Sequence, residues 1–575
     1  MLLWKNSLRG VASATLLAAT ALTPASAKDA PSPRPNIVLI VLDDVGFAEL
    51  GSYGSEIRTP HMDSLARNGL RYNRFDSKAI CSSTRAALLT GRNPQSVGML
   101  DLASSAEAAD PTASDADRGE LPRNIDTVAE RLRGIGYTSW AVGKWHLAPR
   151  YDETQGKASW PLQRGFDHFY GFLSGWTDQY KPKLVRDNDP IPVPDKPDYI
   201  LTPDLIDQAI SAFDPNAMAQ DKKPRFVYLA LGTAHAPIQA PKSYIDAYQG
   251  QYAAGWDAIR ESRFQRQKQL GVIPANSVLN ERNSGDRAWS DLNEQEKQVF
   301  ARFMESYAGF ITQADDEIGR LIQHLKSIGQ YENTLFILLS DNGAAPEPGQ
   351  NGGFWHPYDP RTPVSEMAAN LDKLGGPETQ SLYQRPWAMA GVAPFRRYKL
   401  WPYAGGVRTP LIISWPKEIR DKGAVRSQYV DAVDIGATLL DAAGTAYQST
   451  INGVAQVPIA GQSVRATFTS AHAGGRKVQF FALRGNRSIT AGDWKAVAIH
   501  NYGTDFELDR WSLFNVKEDF SESRDLAAEY PLKLKELQTL WWSEARRYSN
   551  PPLSEPSPRI QSMRQYADEA EQDGN

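Results

Sequence analysis

The chain has 575 residues and a net charge of −4, with 41% hydrophobic and 23% charged residues. This composition excludes a disordered chain and a coiled coil, and the balanced charge leaves no basic footprint for nucleic acid. A single cysteine, Cys81, excludes an internal disulfide and a thiolate zinc site.

Lys5 and Arg9 precede a small, apolar run over 10–22, and Ala25-Ser26-Ala27 forms an A-x-A cleavage site. That pattern predicts a secretory signal peptide over 1–27, and therefore a periplasmic or secreted protein. No later apolar run reaches the roughly 18 residues of a membrane span.

Short β-branched runs over 36–42, 139–144, 225–231, 334–339 and 410–415 predict buried strands. Between the third and fourth, residues 292–327 carry apolar positions at gaps of three and four, which predicts an amphipathic helix ending before Gly329. Helix followed by buried strand, repeated, argues for a largely parallel sheet covered on both faces. Residues 104–117 read as an Ala/Ser/Asp-rich loop, and 181–203, with six prolines, as a surface excursion. Residues 343–402 are rich in Gly and Pro without periodicity, and a stretch that long inside a compact enzyme is usually functional. Beyond about 450, short runs over 480–484, 495–500 and 511–515 predict a small antiparallel sheet, and 532–548 a helix.

Ligands in doubly wound α/β proteins bind outside the carboxyl ends of the strands. The 36–42 run is followed by Asp43-Asp44, the 225–231 run by a loop holding His235, and the 334–339 run by Asp341-Asn342-Gly343. Each has a plainer reading as a helix cap, a loop histidine or a turn. Brought together, Asp43, Asp44, Asp341 and Asn342 form an all-oxygen ligand set, which suits Ca²⁺ or Mg²⁺ rather than zinc. Cys81 and Arg85 lie four apart where the chain turns into a helix, which favours an anion there. Lys144 and His146 share one face at the end of another strand, and Lys399 alone reads as a solvated lysine. A cation, an Arg, two Lys and two His around one candidate nucleophile suit a tetrahedral oxyanion ester.

At this point the chain resembles the type I, formylglycine-dependent sulfatases, and most closely the bacterial periplasmic arylsulfatases. Cys81-Ser82-Ser83-Thr84-Arg85, followed by Leu89-Thr90-Gly91, resembles the sulfatase signature, although position 83 is Ser where the signature has Pro or Ala. Gly143-Lys144-Trp145-His146, Gly165-Phe166-Asp167, Gly492-Asp493-Trp494-Lys495 and Trp511-Ser512-Leu513-Phe514-Asn515 match further family segments in order, and the similarity runs from Pro35 to Leu526.

The resemblance implies an alkaline-phosphatase-like α/β fold. It has a large mixed sheet flanked by helices over 28–450, and a smaller C-terminal antiparallel-sheet α+β domain over 451–575. It implies hydrolysis of sulfate monoesters, aryl sulfates first, to an alcohol or phenol plus sulfate. Carbohydrate, steroid or alkyl sulfates are the alternatives, and a phosphatase or phosphonate monoester hydrolase is the more distant one. A separate maturation enzyme would oxidise Cys81 to formylglycine, whose hydrate attacks sulfur. Asp43, Asp44, Asp341, Asn342 and the residue-81 diol would bind one Ca²⁺. Arg85 would hold the diol, and Lys144 and Lys399 would hold sulfate oxygens. His235, with Lys399, would protonate the leaving group, and His146 would take the proton whose loss expels sulfate. Substrate choice is expected to lie in loops around 150–200 and 345–400, and residues 347–394 are expected to line the pocket.

Overall fold

Strand β1 (Asn36–Leu42) is buried along its whole length, and its side chains divide between two cores. Val38, Ile40 and Leu42 face one, while Ile37, Leu39 and Val41 face the other. A strand with both faces covered needs no polar alternation, which is why it reads as a continuous apolar run. The computed structural model of the chain describes residues 34–103, 119–148, 156–451, 453–548 and 553. The expected signal peptide and the expected loop over 104–117 lie outside the described residues.

The remaining strands of the large sheet are β2 (Leu70–Tyr72), β3 (Thr138–Lys144), β4 (His168–Phe172), β5 (Leu184–Arg186), β6 (Asp189–Ile191), β7 (Arg225–Ala230), β8 (Thr334–Ser340), β9 (Leu411–Ser414) and β10 (Val425–Arg426). Their order is β10-β2-β9-β8-β1-β7-β3-β4-β5-β6. The five central strands, β8 to β4, are parallel. Strand β9 runs antiparallel to both β8 and β2, and β4-β5-β6 form an antiparallel edge. The sheet is therefore mixed, with a parallel centre and one further parallel pair, β10 with β2, at its edge.

Helices Leu201–Ser211 and Glu294–Ser327 pack on one face. Helices Cys81–Thr90, Val128–Gly134 and Ala432–Ala442 pack on the other. The long helix begins at a capping box, with Asn293 and Glu296 bonding each other's backbone, and Gly329 follows its end at φ +69°.

The proline-rich stretch is more ordered than expected. Residues 181–203 contain the β5-β6 hairpin, whose strands pair Arg186 with Asp189 across the two-residue turn Asp187-Asn188. Asp187 sits at φ +54°, the left-handed conformation such turns need. Pro190 is tolerated because β6 is the sheet's outermost strand.

The C-terminal sheet is antiparallel, as expected, with strands β11 (Val478–Leu483), β12 (Asn486–Ala491), β13 (Trp494–Ala498) and β14 (Trp511–Asn515). Strand β12, Asn-Arg-Ser-Ile-Thr-Ala, is absent from the expected runs because its polar composition hides a strand that is buried over five of its six residues. Helix Pro531–Tyr548 lays Leu537, Trp541 and Ala545 across this sheet. Among the described residues no helix is long and apolar enough to cross a membrane.

Trp541 is fully buried, and its Nε1 donates to Phe481 O at 2.9 Å. Trp541→Ala is expected to remove about 3–5 kcal/mol of packing. Its thermal unfolding midpoint should fall clearly below that of the parent, and an unchanged midpoint would remove this helix-to-sheet contact from the account.

Candidate active site

Four adjacent parallel strands end at one edge and deliver most of the unusual residues there. Asp43-Asp44 follow β1, Asp341-Asn342 follow β8, His235 follows β7, and Lys144 and His146 come from the end of β3. Leu42 pairs in register with Ser340, so the two acidic segments leave the sheet side by side. The remaining contributors arrive from elsewhere. Cys81 is the first residue of helix Cys81–Thr90, Arg85 lies one turn on, and Lys399 comes at the end of the irregular 343–402 segment. All ten predicted residues are buried. Lys399 is therefore not the solvated lysine that its local sequence suggests.

Each carboxylate has a basic partner. Lys144 Nζ donates to Asp43 Oδ2 at 2.7 Å, and Lys399 Nζ to Asp44 Oδ2 at 2.9 Å. Arg85 donates through Nε and Nη2 to Asp341 Oδ2 at 3.0 and 2.7 Å. Arg85 also reaches the Lys144 carbonyl and Tyr228 Oη. Cys81 Sγ lies 3.8 Å from Asp43 Oδ1, and His235 Nε2 lies 3.7 Å from Asp44 Oδ2. Thr84 Oγ1 ties the signature helix to the Asp341 carbonyl at 2.6 Å. Ser83, the departure from the signature, donates its hydroxyl to Met99 O at 2.8 Å and Leu100 O at 3.0 Å. It sits in the first helical turn, where a backbone N–H has no intrahelical acceptor, so Pro and Ser are both accommodated.

Burial dominates the electrostatics. It raises the Cys81 thiol far above its usual range, so the unmodified side chain is a neutral thiol. Burial, then repulsion from Asp43, lifts Asp341 to about 6. Burial also raises Asp43, against Lys144 and Arg85. Asp44 is equally buried, but Lys399 and His235 overcome that and hold it at about 2. Burial lowers His235 to about 4 and holds His146 well below its ordinary value, helped by the charge of Lys144.

The backbone is specialised at the same place. Asp44 and His146 adopt φ of +60° and +51°, a region that non-glycine residues rarely occupy. Gly343 packs so tightly that a Cβ there would lie 2.1 Å from Gly405 O.

Of the four side chains expected to hold a cation, Asp43 and Asp44 share one cluster of candidate ligand atoms with Cys81 and His235, whereas Asp341 is not in that cluster. Ligand atoms of Asp43, Asp44, Cys81 and His235 all lie within 4.8 Å of one another. Asn342 Nδ2 donates to Asp44 Oδ1 at 2.5 Å, while its Oδ1 is buried without a hydrogen-bond partner. An orphaned amide oxygen beside three carboxylates is what an oxygen-ligated cation would satisfy.

Several neighbours went unnoticed in the sequence. Glu347 Oε1 pairs with Lys399 Nζ at 2.8 Å, Tyr228 supports Arg85, and Gly175 leaves room for the His146 ring. A Cβ on Gly175 would lie 2.8 Å from His146 Cε1. The only sequence signal for Glu347 was its place in the long irregular segment.

The Sulfatase family model matches residues 35–445, and a model described as N-sulphoglucosamine sulphohydrolase, C-terminal, matches 397–542. An uncharacterized sulfatase of Schizosaccharomyces pombe is 31% identical over 89% of this chain and 94% of that protein. The arylsulfatase of Klebsiella aerogenes is 28% identical over 75% of this chain and 92% of its own. The structure of Ps i-CgsB in complex with k-i-k-neocarrahexaose shares the fold, with a TM-score of 0.62 at 22% identity over 93% of this chain and 98% of that one. With its family pattern spanning most of its length, the chain belongs to the sulfatases, hydrolases of sulfate esters.

Proposed function

We propose that this protein is a calcium-dependent sulfatase exported to a periplasm or beyond the cell, with Cys81 converted by a separate maturation enzyme to formylglycine. The observation that carries this reading is the place of Cys81. It opens a buried helix against Asp43, within a cluster that pairs three carboxylates with Arg85, Lys144 and Lys399. As a neutral thiol it is a poor nucleophile, which supports its conversion. The hydrated aldehyde would supply an oxygen nucleophile and a second hydroxyl for release. Asp43, Asp44, Asp341 and Asn342 would hold Ca²⁺, which when bound supplies positive charge to an ester oxygen.

The chain's own residues then have distinct tasks. Arg85 is fixed by Asp341 and Tyr228 and orients residue 81. Lys144 and Lys399 each keep a donor for a sulfate oxygen. His146 is neutral, the state that a proton acceptor requires. His235 bonds Ala236 O through Nδ1 at 2.7 Å, which turns Nε2 toward Asp44 and Lys399. With its one ring proton held on Nδ1, neutral His235 presents a bare Nε2, so the proton for the leaving oxygen would come from the charged Lys399 ammonium, with His235 beside it as a hydrogen-bond acceptor.

Aryl sulfates are the proposed first substrates, supported by the Klebsiella relative. Asn342 favours a sulfatase over a phosphatase of similar architecture, because an amide oxygen suits calcium better than the softer ions that take an imidazole.

The matured protein is expected to turn over nitrophenyl sulfate faster than nitrophenyl phosphate. Cys81→Ala should abolish that turnover while leaving the unfolding midpoint near the parent's. The tryptic peptide spanning residue 81 should be lighter than its cysteine form. Predominant phosphatase activity, or a wholly unmodified and alkylatable Cys81 in the active protein, would overturn the reading.

Calcium binding should depend on pH in a defined direction. Asp341 sits at about 6 without a cation, and a bound cation must displace its proton. Calorimetric affinity is therefore expected to weaken as the pH falls through about 6, by up to about tenfold per pH unit for each displaced proton. A pH-independent affinity would exclude Asp341 as a ligand.

A further inference from the structure

The charged groups of the site are buried, so an ester bound there keeps its bulky leaving group in the accessible layer above them. That layer is aromatic. Trp176 and Tyr358 are half-buried and His356 is exposed, so all three offer surface to a ligand. Trp176 follows Gly175, whose backbone lies against the His146 ring, so that an added Cβ would come within 2.8 Å of His146 Cε1. The indole meets the His356 ring at an interplanar angle of 88°, with centroids 6.5 Å apart. Tyr358 lies 5.9 Å beyond His356. Burial, then the charge of Glu347, holds the Tyr358 hydroxyl well above its usual range, against the opposing charge of Lys399. The band of three rings therefore runs from the His146 side of the site to the Lys399 side.

Two segments far apart in sequence build this band, and both are held in place. Asp178 Oδ2 accepts from Gln239 Nε2 at 3.1 Å and from Gln380 Nε2 at 3.4 Å, which ties the Trp176 loop to the irregular 343–402 segment. Tyr358 N donates to His356 Nδ1 at 3.3 Å, which fixes the direction of that ring. Two perpendicular rings form a corner. A flat ring placed in it stacks on one wall and meets the other edge-on, the two arrangements that aromatic pairs prefer. A flexible chain covers less of either wall and loses more rotamer freedom on binding.

On the sulfatase reading above, on which this step rests, the buried charges take the sulfate group. We infer that Trp176 and His356 are specificity-determining residues that grip the flat aromatic ring of the leaving group at the mouth of the site. The contact is made to a part of the substrate that does not react. It stabilises ground state and transition state alike, so its loss falls on KM.

The test measures kcat and KM for 4-methylumbelliferyl sulfate, whose leaving group is flat and bicyclic. Parent, Trp176→Ala, Trp176→Phe and His356→Ala are compared. Competitive inhibition by inorganic sulfate, which has no ring, is measured alongside. Trp176→Ala should raise KM about fivefold and leave the inhibition constant of sulfate at the parent's value. Trp176→Phe keeps a flat face and should recover most of that loss. His356→Ala should raise KM in the same direction, and because His356 is exposed it serves as the test if Trp176→Ala does not fold. An unchanged KM in the folded variants overturns the inference, as does a KM that rises together with the sulfate constant. A larger loss on a monosaccharide sulfate than on the aryl ester overturns the aromatic assignment. Each of these leaves the sulfatase reading standing, whereas failure of the matured parent to cleave any sulfate ester removes both.

Discussion

Three carboxylates, Asp43, Asp44 and Asp341, are buried side by side at the ends of two neighbouring parallel strands, and the rest of the site answers the cost of keeping them there. Like charges in a low-dielectric pocket repel strongly, and each must be desolvated. The chain offsets this by giving each acid its own base: Lys144 to Asp43, Lys399 to Asp44, Arg85 to Asp341. Where that offset is incomplete, the carboxylate binds its proton more tightly, as Asp341 does. Where it is generous, as at Asp44, the acid stays ionised. The unsatisfied remainder, with the idle oxygen of Asn342, is a standing demand for a further positive charge.

This constraint explains which parts of the fold were readable in advance. Strand β1 was legible to the residue because it is an unbroken apolar run buried on both faces, and the long helix within two residues of its start because its apolar positions recur at gaps of three and four. What such patterns leave open is strand direction. Leu411–Ser414 reads like its parallel neighbours but runs opposite to them, a choice made by chain connectivity rather than composition. The site was legible where strand ends carry rare residue types, at Asp43, Asp44, Asp341 and His235. Cys81 and Lys399 were not legible from periodicity. Cys81 gained meaning from its signature neighbours, and Lys399 looked solvated because nothing local shows that 343–402 folds back over the sheet edge. Ala48 N donating to Gly391 O at 2.8 Å, and Lys399 N to Ala344 O at 3.1 Å, are the contacts that close that segment, and both are long-range. Glu347 was legible only as part of that segment, its pairing with Lys399 being hidden for the same reason.

Rigidity at the sheet edge follows from the same packing. Asp44 and His146 hold left-handed backbone conformations that cost free energy in isolation. They persist because β1, β3 and β8 are fixed by full ladders on both sides and the following turns are pinned by backbone bonds, such as Asp43 N to Thr233 O at 2.8 Å and His146 N to Leu173 O at 3.1 Å. A preorganised set of dipoles and charges needs no rearrangement as charge develops on a reacting ester, and that is the main electrostatic advantage an enzyme has over water.

The charge balance of the pocket bears on which ester it suits. Asp43, Asp44, Asp341 and Glu347, if ionised, face Arg85, Lys144 and Lys399, one negative charge in excess. A divalent cation of the proposed kind would reverse this to one positive charge and would favour the ionised form of Asp341. A sulfate monoester carries a single negative charge and completes that balance. A phosphate monoester at neutral pH carries nearly two, and would leave a surplus negative charge beside Glu347 with no base to meet it. Without Glu347 the pocket would carry one more positive charge and match the dianion instead. With the proposed cation bound, the carboxylate from the irregular segment would therefore work on two features at once: it holds Lys399, and it would bring the pocket's net charge to that which a sulfate ester completes.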